Sequence, residues 1–250
     1  MKAGPRLALD QPRDVSGLFR DALAVYGGHL GTFIAVGAVV VVPVQLIVSG
    51  IGLEQLTSHY DKSPSPAEAA VPTAVSFMVI APLITAICIH ALRAVANGEG
   101  PAAGRAIRDG FEAFAPLFAA LVLVAIGVAV GLLALILPGI YLAVRWFFVP
   151  QAVVIEGKRG LQALQRSGEL VQGVWWRTFG IVLLAWLAAQ IPVALIGIPF
   201  ASLAAHADRQ LYALVGETLT QAVASPFVAL LSTLLYYDLR ARESARLPAA

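Results

Sequence analysis

The chain has 250 residues, of which 59% are hydrophobic and 13% charged, with a mean hydropathy of +0.81. Soluble domains carry about 25% charged residues, so this chain cannot clothe itself in polar surface. A net charge of +2 gives no ground for a nucleic-acid partner, and a single cysteine, Cys88, excludes both an intramolecular disulfide and a cysteine metal cluster.

The first 26 residues mix Lys2, Arg6, Arg13 and Arg20 with Asp10, Asp14 and Asp21. They hold no apolar core ahead of a small-residue cleavage site, so no cleaved signal peptide is expected. Within them Val15, Leu18, Phe19, Ala22, Leu23 and Tyr26 recur at steps of three and four, which predicts a helix with one apolar face. Asp14 is its expected N-cap.

Apolar stretches long enough for a hydrocarbon core of about 30 Å then follow one another. Spans are predicted near Leu30–Gly50, Pro72–Leu92, Phe114–Leu137, Ile140–Ile155, Thr178–Leu203 and Leu211–Tyr237. The segment Gly52–Val71, with Ser63-Pro64-Ser65-Pro66, is polar and turn-rich and reads as a flexible connection. Leu137-Pro138-Gly139 leaves almost no loop between the third and fourth spans and predicts a tight hairpin. The fourth span is short, so a tilted or incomplete crossing is expected. Pro43, Pro82, Pro192, Pro199 and Pro226 fall inside or near the ends of spans, where neighbouring helices ordinarily satisfy the freed backbone.

Amphipathic stretches precede the third and fifth spans as well as the first. Ala103, Ala106, Ile107, Gly110, Phe111 and Phe114 repeat the first pattern, and Leu161, Leu164, Gly168 and Val171 form a weaker version. Arg20-Asp21-Ala22-Leu23, Arg108-Asp109-Gly110-Phe111 and Arg166-Ser167-Gly168-Glu169 align within the three. The expected fold is therefore all-α: a polytopic membrane bundle of six transmembrane helices with three amphipathic interfacial helices. It is built as three helix-plus-hairpin repeats, about 12–95, 102–156 and 158–240, within a single membrane domain. With both termini in the cytoplasm, every lysine and arginine lies inside except Lys62, Arg209 and the intraspan Arg145, as the positive-inside rule favours.

Two readings of the short helices stand side by side. In one, Arg20, Arg105, Arg108, Lys158, Arg159 and Arg166 face anionic lipid head groups at the interface; in the other, the helices dock against the bundle.

The residues Leu137-Pro138-Gly139-Ile140-Tyr141, Arg145, Pro150, Glu156-Gly157, Ala163-Leu164, Ser167, Gly173, Trp176-Arg177 and Gly180 resemble the glycerophosphoryl diester phosphodiesterase membrane-domain family and related uncharacterised bacterial six-span proteins. The resemblance covers roughly residues 130–185, with a similar opening from Leu18 to Pro43. It implies a fold and a bacterial plasma membrane more than an activity. The catalytic barrel joined to some members has no counterpart here in length or in His and carboxylate content, and that activity is not carried over.

No chemistry emerges from the remaining motifs, and no cofactor or metal is expected. His29, His59, His90 and His206 are split between the two predicted sides, and no pair has the helical spacing of a zinc site. His206 and Asp208 share an outer loop without an activated nucleophile beside them. The adjacent Trp175 and Trp176 stand where aromatic rings anchor at head-group depth. Gln45 and Gln190 are candidates for helix pairing or for lining a cavity.

Arg145 and Glu217 lie six residues beyond Gly139 and Leu211, the outer starts of their spans, or roughly 9 Å deep in each case. An ion pair joining the fourth and sixth spans is expected from those matched depths. The leading functional expectation is a non-catalytic scaffold or module that binds lipid, a protein partner or further copies of itself. The alternative is a transporter or lipid-handling protein with a cavity between repeats.

Overall fold

The computed structural model describes residues 8–9, 11–48, 73–100 and 103–246. The predicted connection Gly52–Val71, with His59 and Lys62, lies outside them. Among the described residues all regular structure is helical, and six helical segments are long and apolar enough to cross a membrane.

Asp14 caps α1 (Val15–Gly28), its carboxylate accepting from the Gly17 N–H at 3.0 Å. The Ser16 hydroxyl donates to the same carboxylate, and these hydrogen bonds hold it below the ordinary aspartate value. Leu18, Ala22, Val25 and Tyr26 are buried along one face, while Val15 and Leu23 point outward. After His29 the chain runs into the first span, α2 (Leu30–Val48).

The second span covers Thr73–Ala96 and contains a π-helical turn, Ser76–Ile80, ahead of α3 (Ala81–Ala96). A second π-turn, Val193–Gly197, joins α9 (Trp175–Pro192) to α10 (Ile198–Ala207) within the fifth span. Each π-turn ends two residues before a proline, Pro82 and Pro199. Proline has no N–H and its ring crowds the preceding turn, so the wider turn absorbs the misfit and lets the span continue.

Between these lie α4 (Ala103–Glu112), α5 (Phe114–Ala134), α6 (Ile136–Arg145), α7 (Val149–Glu156) and α8 (Leu161–Val171). The α5–α6 hairpin turns at Leu135, which is extended at φ −166°, ψ 145°. That is two residues before the predicted Leu137-Pro138-Gly139, because Pro138 is accommodated in the first turn of α6, where no N–H is needed. Gly131 and Gly139 then bring the two backbones together: a Cβ on Gly131 would stand 3.0 Å from the Gly139 Cα. The fourth span is broken at residues 146–148 into α6 and α7.

The final helix, α11 (Gln210–Arg246), runs 37 residues and packs against α1, α2, α3, α8, α9 and α10. Pro226 within it cannot donate to the Ala222 carbonyl one turn back. Gly37 of α2 lies against that freed carbonyl, in a space a side chain would fill. Nearby the Tyr26 hydroxyl donates to the Val223 carbonyl at 2.8 Å, and burial pushes its pKa up to about 12. The main core gathers around α3 and α11, and a smaller cluster sits under α5, α7 and α8.

Candidate functional site

Residues from α1, α3, α4, α7, α8, α9 and α11 that are far apart in sequence meet at one end of the bundle, here called the base. Asp238, fully buried in the last span, organises one half of it. Its carboxylate accepts from the backbone N–H of Arg13 at 2.6 Å, from Arg177 Nη1 at 2.7 Å and from Arg242 Nε at 3.0 Å. Arg177 and Arg242 also donate to the Arg13 carbonyl, at 3.0 and 2.7 Å. The Arg13 side chain turns back to Asp21 at 2.9 Å and to the Ala8 carbonyl. The segment before α1 is thus clamped to α9 and α11 by charge-assisted bonds.

Arg166 organises the other half. Its Nε meets Glu156 at 2.8 Å, while Nη1 and Nη2 form a two-pronged pair with Glu243 at 2.8 and 2.7 Å. The Glu243 and Glu156 hydrogen bonds together hold the guanidinium above the ordinary arginine value, against the cost of burial. Tyr236 donates to the second Glu156 oxygen at 2.6 Å. Arg93 reaches the Tyr237 hydroxyl at 3.0 Å and the Ile155 carbonyl at 3.4 Å. Adjacent Arg242 and Glu243 link the halves beside a recess of about 120 Å³, which Glu169, Gln172 and Arg246 also line. A second recess, of about 160 Å³, lies between α3 and α4 with His90, Arg105 and Asp109 in its wall. His90 Nδ1 and Asp109 stand 4.0 Å apart there.

Several sequence expectations find different partners. Arg166, read as an interfacial cation, keeps only 17% of its side chain exposed, because Glu156 and Glu243 meet it from two other helices. Arg20, Arg105, Arg108, Lys158 and Arg159 are exposed. Arg108 borders Asp109 and Glu112 at 3.5 and 3.7 Å.

The expected Arg145–Glu217 ion pair is not formed. Glu217 is exposed and accepts from Gln45 at 3.2 Å and Gln221 at 3.1 Å. Arg145 instead donates to the Tyr141 hydroxyl at 3.0 Å and lies against Gly168 of α8. Counting residues from the hairpin misplaced it: the span breaks just beyond Arg145, and α8 packs into the break. There the Ser167 hydroxyl donates to the Arg145 carbonyl at 2.8 Å and accepts from the Phe148 N–H at 3.1 Å. Gln45 is 5% exposed and committed to Glu217, while Gln190 donates to the Trp186 carbonyl of its own helix.

Asp238 and Glu243 were not singled out by the sequence, and Glu156 and Arg177 entered only among the residues of the family resemblance, with no site role. The available signal was a carboxylate in the apolar run Leu234-Leu235-Tyr236-Tyr237-Asp238-Leu239, with Arg242 one turn on.

A family model described as a domain of unknown function, DUF7847, matches residues 75–239. The chain belongs to that family. The matched region runs from the second span to just past Asp238 and includes Arg145, Glu156, Arg166 and Arg177. Arg13, Asp21, Arg242 and Glu243, which complete the base, lie outside it. No curated protein and no solved structure matches the chain. Nothing in these comparisons supports the glycerophosphoryl diester phosphodiesterase likeness; they show a family of unknown function, and the six long apolar helices of the structure fit a membrane protein.

Proposed function

We propose that this protein is a non-catalytic bacterial membrane module that engages anionic lipid, and through it a partner, by the short helices at its base. One observation carries the reading: each short helix, or the turn leading into it, pairs an exposed cation with an exposed apolar side chain. Arg20 accompanies Leu23 (57% exposed) on α1, and Arg105 and Arg108 accompany Phe111 on α4. Lys158 and Arg159 accompany Leu161 (71% exposed) at the start of α8. An apolar group in the acyl boundary beside a cation at head-group level is how a helix lies in an interface.

The placement of the base on the cytoplasmic side of the plasma membrane belongs to the same reading, through the concentration of Lys and Arg there. So does the likeness of residues 130–185 to a phosphodiesterase membrane region, taken as a membrane region alone. Gln45 and Gln190 are both engaged within the chain, which lends no weight to a cavity between repeats.

The test is the joint replacement of Arg20, Arg105, Arg108, Lys158 and Arg159 by Gln in the full chain. These side chains are exposed and hold no buried pair, so the fold should persist. At about 1 kcal/mol for each basic residue near an anionic surface, the preference of the reconstituted protein for phosphatidylglycerol over phosphatidylcholine should fall by at least tenfold, read by lipid exchange in nanodiscs. An unchanged preference would leave docking as the role of these helices.

A further inference from the structure

Arg145 lies within a candidate span and forms no salt bridge with a carboxylate among the described residues. Arg93, Arg177, Arg240, Arg242 and Arg246 also fall within candidate spans, but all of them lie close to the charged base. A guanidinium offers five N–H donors, yet among the described residues the one side-chain acceptor Arg145 meets is the Tyr141 hydroxyl, at 3.0 Å. A charge held at membrane depth without a counter-charge is costly, and such residues mark sites whose partner must be named. Among the described residues the chain supplies none within salt-bridge distance.

The surroundings hold the side chain ready. The guanidinium stands 5.9 Å from the centre of the Tyr141 ring. Tyr141 stacks on Trp175 at 5.8 Å, and Trp175 stacks on Phe179 at 5.3 Å and 5°. Trp175 Nε1 donates to the Tyr141 carbonyl at 3.3 Å, tying α9 to α6. On the other side is Gly168, where a Cβ would come 3.0 Å from Arg145 Nε and 3.2 Å from Nη2. Glycine at this position leaves the fork of nitrogens room against α8. The groove is open: Tyr141 is exposed, and Trp176, edge-on to Trp175, is 79% exposed.

We propose that Arg145 anchors the phosphodiester of one anionic phospholipid in the groove between α6, α8 and α9. The planar guanidinium matches two phosphate oxygens at once, and Tyr and Trp rings commonly lie at the depth where head group meets glycerol. Lipid is the anion-bearing solvent at such a surface. Unlike the diffuse attraction of the exposed cations, this site holds one lipid per chain. It rests on the reading of the protein as a lipid-engaging module, but a separate residue and a separate readout test it.

The experiment is native mass spectrometry of the full chain released from detergent micelles containing phosphatidylglycerol and phosphatidylcholine. The wild type should retain one phosphatidylglycerol in preference to phosphatidylcholine. Arg145→Gln should weaken that retention roughly tenfold, the value of a charge-assisted hydrogen bond. Arg145→Lys keeps the charge without the fork and should fall between them, and Gly168→Ala should weaken binding by displacing the guanidinium while leaving it charged. Thermal unfolding identifies any variant that has lost its fold, and the lysine variant then carries the comparison.

Equal retention by wild type and Arg145→Gln overturns the site, as does a wild type that retains no lipid. Displacement of the lipid by inorganic phosphate alone, at matched concentration and with the same dependence on Arg145, assigns the site to free phosphate and overturns the lipid. If the site fails while the fivefold Gln variant still loses its lipid preference, the interfacial reading stands without it.

Discussion

Without the Asp238 carboxylate, the Arg177 and Arg242 guanidiniums and the Arg13 N–H would face a buried pocket with no anion between them. Breaking a buried charge cluster from one side costs about 3–5 kcal/mol, because the survivors remain desolvated. Asp238→Asn should therefore lower thermal stability in detergent far more than Arg20→Gln, whose exposed side chain is expected to matter by about 0.5 kcal/mol or less. Equal, small effects of the two would show that the cluster is not holding the base together. Residue roles were the least legible part of the sequence. Arg166 and Arg159 look alike in composition, yet one is enclosed by Glu156 and Glu243 and the other is exposed. What separates them is the arrival of α11, 77 positions away from Arg166, and helical spacing carries no information about that.

At the scale of elements the sequence was more informative, because a cap or an apolar stripe is a local property. Asp14 and the three short helices can be read from spacing alone, and Leu18, Ala22 and Tyr26 of the face expected for α1 are buried, but Val15 and Leu23 of that face point outward and Val25 is buried instead. The break in the fourth span could only be suspected from its length, since its cause is the fit of Ser167 and Gly168 against Arg145 and Phe148. Helix crossings depend on such fits. Gly37 packs on the Ala222 carbonyl that Pro226 leaves without an N–H, so Gly37→Ala should push α2 from α11 and cost about 1–3 kcal/mol by overpacking. Gly27 is a helical glycine of α1 with open space around it. Gly27→Ala should stabilise by about 0.5–1 kcal/mol through helix propensity. Unfolding midpoints that move the same way for both would refute the crossing.

For the molecule as a whole, the number of spans followed from apolar run lengths, and all six appear. What composition could not convey is how the charges are shared: Arg13, Arg166, Arg177 and Arg242 balance Asp21, Glu156, Asp238 and Glu243 at the base, while Arg20, Arg105, Arg108, Lys158 and Arg159 face outward. The proposed orientation can be checked in a Cys88→Ala background with single cysteines and an impermeant thiol reagent on intact cells. Arg209→Cys should label from outside and Arg105→Cys and Arg159→Cys should not; labelling at position 105 would invert the topology.

The reach of α11 has one more consequence. It follows in sequence every helix it packs against, and Phe33, Ile84 and Leu18 are buried in the cluster that its own Leu230, Leu234 and Tyr236 complete. Contacts between segments so distant in sequence form late. During insertion the earlier spans must therefore wait in the bilayer as loosely associated helices, with small residues and unpaired arginines facing lipid. That interval is when a chaperone or a competing helix could intercept the protein. Assembly here resembles closing a ring with its last link rather than lengthening a rod.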